Sequence, residues 1–148
     1  MEKQKIILSD NITEALESAI ADLKHDKLFM LCDETTLRLC APVVQCIADR
    51  AGMITIPAGD TNKGLESMSH VWGELQRMGA TRHSLMINLG GGMVTDLGGF
   101  AASTFKRGIK FINIPTTLLS MVDASVGGKT GVNFGGLKNE IGVFNNAD

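Results

Sequence analysis

Short apolar runs alternate along the chain with segments whose apolar positions recur at helical spacing. The runs predict four buried strands, each ended or followed by an acid, a proline or a glycine, at 28–33, 53–56, 84–89 and 109–114. The helical spacing predicts helices over 11–24, from Pro42 to about Arg50, over 64–78, and from the triple glycine 90–92 to about Phe105. This alternation predicts the α/β class, with a parallel sheet that carries helices on both faces.

The residues best suited to chemistry follow the ends of the predicted strands. Asp33 ends the first strand, a polar loop follows Ile56, three glycines follow Leu89, and a threonine pair follows Ile114. Parallel sheets bind ligands outside the carboxyl ends of their strands. We therefore expect these four strand ends to line one crevice.

Length, charge and cysteine content exclude several classes of protein. The 148 residues allow one domain, and a net charge of −2 argues against nucleic acid as a partner. Nothing in the sequence approaches the run of about 18 apolar residues that a membrane-spanning helix needs, so we expect no membrane segment. The three cysteines, Cys32, Cys40 and Cys46, lack metal-site spacing and predict buried, reduced thiols in a cytosol. We predict no metal site in this chain, because its three histidines are scattered.

Glycine is unevenly distributed, and two glycine-bearing segments have alternative interpretations. Thirteen of the 17 glycines lie from Gly79 onward. The segment 89–96, LGGGMVTD, is either a tight structural turn or a site where backbone N–H groups meet a pyrophosphate, and it lacks the G-x-G-x-x-G pattern. Asp96 is accordingly either a first-turn acid or a ligand contact. The loop 57–64, PAGDTNKG, is either a polar loop with Asp60 or Thr61 as a helix cap, or a contact to a ribose or adenine edge through Asp60 and Lys63.

The segment 115–142 has the richest combination of residues. It starts apolar and then places Asp123, Lys129, Lys138 and Asn139 among glycines, an arrangement typical of fixed cations that hold a phosphate or carboxylate. Its GGKTG sequence is not a P-loop, because Asp123 stands where the first glycine of that motif belongs and would repel phosphates.

The long motif PTTLL…D-x-S-V-G-G-K-T-G-x-N…K-N-x-I-G resembles the 3-dehydroquinate synthases, which belong to the sugar phosphate cyclases. The resemblance is close over 57–144 and looser back to Asp33. It implies that residues 1–148 form the Rossmann-like N-terminal NAD-binding domain of such an enzyme. The family's helical C-terminal domain, which binds a divalent metal, zinc or cobalt, through a carboxylate and two histidines, would lie beyond this chain.

The resemblance also implies roles for individual positions. The implied NAD contacts are Asp33, Ala58, Gly59, Asp60, Thr61, Asn62, Lys63, Gly91, Gly92, Met93, Val94, Thr95, Asp96, Thr116, Thr117, Leu119, Lys129 and Lys138. The positions around the substrate and nicotinamide are Asp123, Lys129, Lys138 and Asn139, and Arg107 would help to hold the substrate phosphate across a dimer interface.

Three positions depart from the family pattern. Asp60 stands where the family has Glu, which shortens the reach to a ribose by one methylene. Thr95 stands where the family has Gly, and Phe-Gly-Gly-Leu-Lys-Asn replaces the family's Pro-x-Gly-Lys-Asn, which bears on the position of Lys138.

The implied activity is the NAD- and metal-dependent conversion of 3-deoxy-D-arabino-heptulosonate 7-phosphate to 3-dehydroquinate, with loss of phosphate, by a cytoplasmic homodimer of the shikimate pathway. One alternative is a sister cyclase that makes 2-deoxy-scyllo-inosose or a valiolone. Another is a non-catalytic NAD-binding module. In each case we expect residues 1–148 alone to be inactive, because the family's metal ligands are not among them.

Overall fold

The computed structural model describes residues 3–148, which fold around a four-stranded parallel sheet. Its strands are β1 (Leu28–Asp33), β2 (Gly52–Ile56), β3 (Leu85–Gly90) and β4 (Lys110–Pro115). They lie in the order β2-β1-β3-β4, with every neighbouring pair parallel. The four predicted strands and the predicted α/β class are confirmed.

Five α-helices and several shorter helical turns connect and flank the strands. The α-helices are α1 (Ile12–Asp22), α2 (Glu34–Leu39), α3 (Gln45–Ala48), α4 (Leu65–Arg77) and α5 (Gly92–Thr104). Three 3-10 turns cover Ala41–Val44, Asp60–Asn62 and Phe105–Arg107, and a π-helical turn covers Ser120–Ala124. Within residues 3–148 there is no helix with the length and apolar character needed to cross a membrane.

The sheet buries an apolar layer on each face, because alternate residues of a strand point to opposite sides. On one face Leu31, Ile54 and Met86 pack against α4 and α5. On the other face Met30 and Ile87 pack against α1 and the segment 41–48. The predicted arrangement of helices on both faces is therefore confirmed.

The prediction of one helix from Pro42 to about Arg50 is wrong. The chain instead forms α2 before the proline, a 3-10 turn over Ala41–Val44, and the four-residue α3. Pro42 lies in the first turn of the 3-10 helix, because it has no N–H to donate and its ring would clash with the preceding turn if α2 continued through it. The helix before the proline begins with a capping box that was not predicted, between Asp33 and Thr36.

An antiparallel hairpin that the sequence analysis did not predict follows the π-helical turn. Its strands are β5 (Lys129–Phe134) and β6 (Leu137–Phe144). Gly135 and Gly136, with φ of 60° and 78°, form the two-residue turn, which requires positive φ at both positions. The hairpin packs on α5 through the fully buried Val132, and the glycine-rich segment is therefore an ordered part of the fold.

The expectation that all three cysteines are buried is wrong for one of them. Cys32 lies inside β1 and is fully buried, Cys40 is half-buried, and Cys46 in α3 is exposed. Burial raises the pKa of the Cys32 thiol to about 12, and the nearby charge of Asp33 adds to this effect.

We expect the two extreme thiols to react very differently with an aromatic disulfide reagent near neutral pH. Only the thiolate reacts, so Cys46 should be modified quickly, while Cys32 should stay unmodified until the chain unfolds. Peptide mass mapping of the labelled protein before and after addition of denaturant would measure this. Rapid labelling of Cys32 in the folded protein would contradict the buried position of β1.

Candidate functional site

The carboxyl ends of the four parallel strands meet at one edge of the sheet. The strand register pairs Asp33 with Ile56, Cys32 with Leu89, and Gly90 with Pro115. The loop 57–64, the triple glycine and the threonine pair therefore start from the same edge, as expected from the sequence.

The triple glycine brings the N-terminus of α5 to the centre of this edge. A Cβ atom at Gly91 would lie 3.1 Å from Thr117 Cγ2, and one at Gly92 would lie 3.3 Å from Ala124 Cβ. No side chain among residues 3–148 caps the helix, so its first N–H groups are available to an anion. Small residues and free donors make this surface a cradle for a phosphate.

Two of the predicted cofactor contacts point their side chains away from this cradle. Val94 is fully buried and packs over Gly90. Thr95 is also buried, and its Oγ1 donates to the carbonyl oxygens of Gly91 and Gly92 at 3.2 and 3.3 Å. These two side chains belong to the interior of the fold.

Lys63 is the most buried charged group at the site. It is 4% exposed, although it comes from a polar loop. Its Nζ donates to Asp96 Oδ2 at 2.7 Å and to Asn139 Oδ1 at 2.5 Å. One ammonium group thus joins the loop after β2, the first turns of α5 and the strand β6.

Asp96 carries an incomplete set of hydrogen bonds. Burial raises the pKa of its carboxyl group, the carboxylates of Asp123 and Asp60 add to this, and the ammonium of Lys63 opposes it. Its second oxygen, Oδ1, is buried without a hydrogen-bond partner among residues 3–148. A buried oxygen without a donor is a position where a hydroxyl or amide of a ligand would be stabilised.

The loop 57–64 and the hairpin are joined a second time through Asp60. Asn133 Nδ2 donates to the backbone oxygen of Asp60 at 3.2 Å and to its Oδ2 at 3.1 Å. Lys138 Nζ lies 3.7 Å from the same Oδ2. Both groups of the Asp60–Lys138 pair are largely exposed, so this ion pair adds little stability.

A cleft of about 450 Å³ opens beside these groups, between α5, the π-helical turn and the hairpin. Its polar lining includes Asp96, Asp123, Lys129 and Asn139. The volume suits a small metabolite. Four predicted site residues are therefore brought together, while Lys138 lies at the loop beside Asp60.

Other predicted contacts stand at or just after the carboxyl ends of β1 and β4 and are not among the residues that line the cleft. The Asp33 carboxylate accepts from the Thr36 N–H at 2.7 Å and so caps α2. Thr116 donates its N–H to Gly90 O, and Thr117 exchanges hydrogen bonds with Ser120. Leu119 is exposed.

Arg107 is the predicted site residue that the structure separates from the others. It precedes β4 and so lies at the amino edge of the sheet. β4 has six residues at about 3.3 Å each, so Arg107 lies roughly 20 Å along the sheet from the carboxyl edge. Lys106 and Arg107 both have positive φ, at 48° and 69°, a strained conformation that is common at functional positions.

Asn133 is the central residue that the sequence analysis overlooked. It makes hydrogen bonds to Asp60, Lys63 and Asn139. Its signal in the sequence is its place in the motif GGKTGVN, two residues before the Gly-Gly turn. Within residues 3–148, three or more His, Cys, Asp or Glu side chains nowhere come together as a metal site.

Comparison with known sequences gives consistent results. The sequence profile described as 3-dehydroquinate synthase N-terminal matches residues 53–148. The chain is 51% identical over 146 residues to a 3-dehydroquinate synthase of Parabacteroides distasonis, covering 97% of this chain and 41% of that protein. It is 46% identical over 129 residues to one of Thermococcus kodakarensis, covering 87% and 38%. The chain thus spans about two fifths of the length of these relatives.

Solved structures with similar folds include two sister enzymes. One is 2-deoxy-scyllo-inosose synthase, complexed with carbaglucose-6-phosphate, NAD+ and Co2+, with a TM-score of 0.80 and 26% identity over 92% of this chain and 39% of that one. The other is 2-epi-5-epi-valiolone synthase from Streptomyces hygroscopicus with NAD+ and Zn2+ bound, with a TM-score of 0.80 and 28% identity over 99% and 43%. The family profile matches more than half of this chain's residues, which shows that the chain belongs to the 3-dehydroquinate synthase family.

Proposed function

We propose that residues 1–148 are the NAD-binding domain of a 3-dehydroquinate synthase. The whole protein would convert 3-deoxy-D-arabino-heptulosonate 7-phosphate to 3-dehydroquinate and phosphate. The observation that carries this proposal is the hydrogen-bonded cluster of buried Lys63, half-buried Asp96 and exposed Asn139, which joins the loop 57–64 and α5 to the cleft. It joins an anion-binding helix terminus to a polar pocket of metabolite size, which is what a reaction between NAD and a sugar acid needs.

The residues at the carboxyl edge fit NAD. The cradle of Gly91 and Gly92 would hold the pyrophosphate at the N-terminus of α5, and the loop from Ala58 to Lys63 would contact a ribose. The unpartnered Asp96 oxygen would accept a hydrogen bond from the cofactor. When bound, NAD supplies a reversible hydride acceptor for one substrate hydroxyl, and this oxidation acidifies the neighbouring C–H.

The remaining side chains of the cleft would bind and orient the substrate. Lys129 and Lys138 would hold its anionic groups as fixed cations, and Asn139 would contact a hydroxyl. Asp123 faces the same cleft, where its carboxylate would accept a proton or hydrogen bond from the substrate. Such positioning lowers the barrier by aligning the reacting groups.

A divalent metal is not accommodated by this chain's described residues, since residues 3–148 bring no set of metal-ligating side chains together. Zinc or cobalt would be held by a further domain of the whole protein, as the greater length of the relatives allows. We expect residues 1–148 alone to bind NAD without turnover.

Arg107 would act on a second copy of the chain. Because it lies at the opposite edge of the sheet, it would help to hold the substrate phosphate across the interface of a homodimer. The enzyme would be cytoplasmic, and its partner would be a phosphorylated seven-carbon sugar acid rather than a nucleic acid or membrane.

A sister sugar phosphate cyclase is the second candidate, favoured by the solved structures with the same fold. It has less support, because those two enzymes are 26% and 28% identical to this chain, whereas a 3-dehydroquinate synthase is 51% identical. A non-catalytic NAD-binding module remains a third candidate for residues 1–148 taken alone.

The full-length protein with NAD and zinc or cobalt should release inorganic phosphate from the heptulosonate phosphate. Phosphate release is measured with a coupled colour assay, and glucose 6-phosphate serves as the competing substrate. Release from glucose 6-phosphate alone would favour the inosose-type sister enzyme. If phosphate is released from neither substrate, both the 3-dehydroquinate synthase activity and the inosose-type activity are contradicted.

Gly91→Ala should weaken NAD binding by one to two orders of magnitude, because the new methyl group would fill the cradle beside Thr117. Calorimetry would measure the affinity. The control is Gly73→Ala in α4, where a new Cβ meets nothing within 4 Å. Equal NAD affinities in the two variants would contradict the assignment of the cradle.

A further inference from the structure

The hairpin contains a wide irregularity at the point where it meets the site. Val132 pairs with Ile141, but Phe134 pairs with Leu137. One residue of β5, Asn133, therefore stands opposite three residues of β6, at 138–140. A bulge of this kind bends the longer strand and redirects its side chains, and bulges are common beside active sites. Here it presents Lys138 and Asn139 to the loop and cleft.

The bulge places Asn139 in the left-handed region of backbone conformation, where hydrogen bonds from two neighbouring segments hold it. Its φ is 53°, in the left-handed region that L residues rarely adopt. Its N–H donates to Asn133 Oδ1 at 2.9 Å, and its side-chain Oδ1 accepts from Lys63 at 2.5 Å. Such a backbone conformation persists where the surrounding contacts determine it. Asn133 supplies the contact to the main chain.

The same asparagine holds the loop on the other side of the site. Its backbone N–H donates to Lys63 O at 2.8 Å. Its Nδ2 donates to both Asp60 O and Asp60 Oδ2. One side-chain amide thus uses its oxygen for the bulge and its nitrogen for the loop. Neither Asp nor Ala at this position would provide both functions.

We propose that Asn133 is a positioning residue that fixes the bulge of β6 against the loop 57–64. It sets where Lys138 and Asn139 stand relative to Asp60 and Lys63. This inference rests on the proposed function, in which the bulge residues bind the substrate and the loop binds NAD. It assigns to Asn133 no contact with either ligand.

The test uses the full-length protein and the variant Asn133→Ala. Its matched control is Asn145→Ala, which removes the Asn145 Nδ2 hydrogen bond to Ser103 Oγ (2.8 Å), an amide contact that ties the end of the hairpin to α5 and involves neither the bulge nor the loop 57–64. At saturating NAD, kcat for phosphate release should fall on the order of 10- to 100-fold in Asn133→Ala, because a displacement of about 1 Å costs that much. The control should keep kcat within about threefold of the wild type.

Hydrogen–deuterium exchange read by mass spectrometry provides a measurement that does not depend on activity. Asn133→Ala should lose protection in peptides covering 137–144, and Asn145→Ala should keep it there. Asn133→Asp retains an acceptor for the Asn139 N–H but places a carboxylate against Asp60. It should therefore keep protection in the bulge and lose protection in the loop 57–64.

Distinct outcomes separate the two proposals. If the wild type releases no phosphate, the proposed function fails, and the exchange pattern alone decides the role of Asn133. If Asn133→Ala does not fold, the exchange and kcat of Asn133→Asp decide it. Equal kcat values and equal exchange in Asn133→Ala and Asn145→Ala would overturn the inference.

Discussion

Replacing Lys63 with methionine is expected to lower the free energy of unfolding by about 2–4 kcal/mol at neutral pH, because it leaves the half-buried Asp96 carboxylate, whose Oδ1 is fully buried, without its cation. Methionine keeps the length and apolar stem of the lysine, so the loss of packing is small. The lost contacts are the hydrogen bonds to Asp96 and Asn139. Urea unfolding of the chain, followed by the fluorescence of Trp72, its single tryptophan, would measure the effect.

The deficit of this variant should depend on pH in a defined direction. The pKa of Asp96 is already raised in the folded chain, and removing Lys63 takes away the group that opposes this. A carboxyl group whose folded pKa is raised contributes stability that is present at low pH and is lost as pH rises through the folded pKa. The difference between Lys63→Met and the wild type should therefore be largest near neutral pH and smaller in acid.

A second substitution provides the control for the charge. In Lys63→Met/Asp96→Asn no uncompensated charge remains, so most of the lost stability should return. A loss that is the same at neutral and acidic pH, and that the second substitution does not relieve, would show that the charge of Asp96 is not its cause. The single variant should also bind NAD more weakly in calorimetry, since Lys63 belongs to the proposed ribose loop.

The four-stranded sheet can be predicted from the sequence because its strands are buried on both faces. All six residues of β3 are buried, which appears in the sequence as a continuous apolar run ending in glycine. The position of Asp33, Gly91 and Thr116 at one edge of the sheet is predictable for the same reason, since each stands at or just after a strand end. This information is local to each strand, and the alternation of strands with helices predicts that the strands are parallel.

The hairpin cannot be predicted in this way, because most residues of its strands are not buried and so leave no continuous apolar run in the sequence. Seven of the eight residues of β6 are exposed, and β5 buries only two of six. The Gly-Gly turn is the main local signal, and apolar alternation accompanies it only in β5, because Lys138, Asn139 and Glu140 interrupt the pattern in β6.

The buried lysine also follows from tertiary contacts rather than from its neighbours in sequence. Lys63 lies in a polar loop, and its partners are 33 and 76 residues away along the chain. Asn133 reaches Asp60 across 73 residues. The packing of the hairpin on α5 brings these groups together, so the local patterns that marked Asp60, Lys63 and Asn139 as candidates could not show which residues they meet.

Gly98→Ala is expected to destabilise the fold by about 2–4 kcal/mol, because α5 lies too close to the sheet to admit a methyl group. A Cβ at position 98 would lie 2.9 Å from Asn88 Nδ2 and would overlap the rest of that amide. Asn88 is fully buried on β3, and its Nδ2 donates to Asn113 Oδ1 on β4 at 3.0 Å, so displacement of the amide would break a buried hydrogen bond.

At the next residue, Gly99, the hairpin prevents α5 from moving away from the sheet. A Cβ at Gly99 would lie 2.7 Å from Thr130 Cγ2 of the hairpin, so α5 is held between the sheet and the hairpin. A shift of the helix to relieve Gly98→Ala would therefore disturb both neighbours and displace the cradle at its N-terminus. Urea unfolding and NAD calorimetry should both register the change.

Gly73→Ala in α4 is the matched control, because its new methyl group meets nothing within 4 Å. Alanine favours a helix over glycine, so this variant should be unchanged or more stable by up to about 1 kcal/mol. Asn88→Ala combined with Gly98→Ala should recover part of the loss, since the overlapping amide is then gone. If Gly98→Ala is as stable as Gly73→Ala, α5 does not contact the sheet at Asn88. That result would contradict the inference that close packing of α5 on the sheet holds the glycine cradle in place.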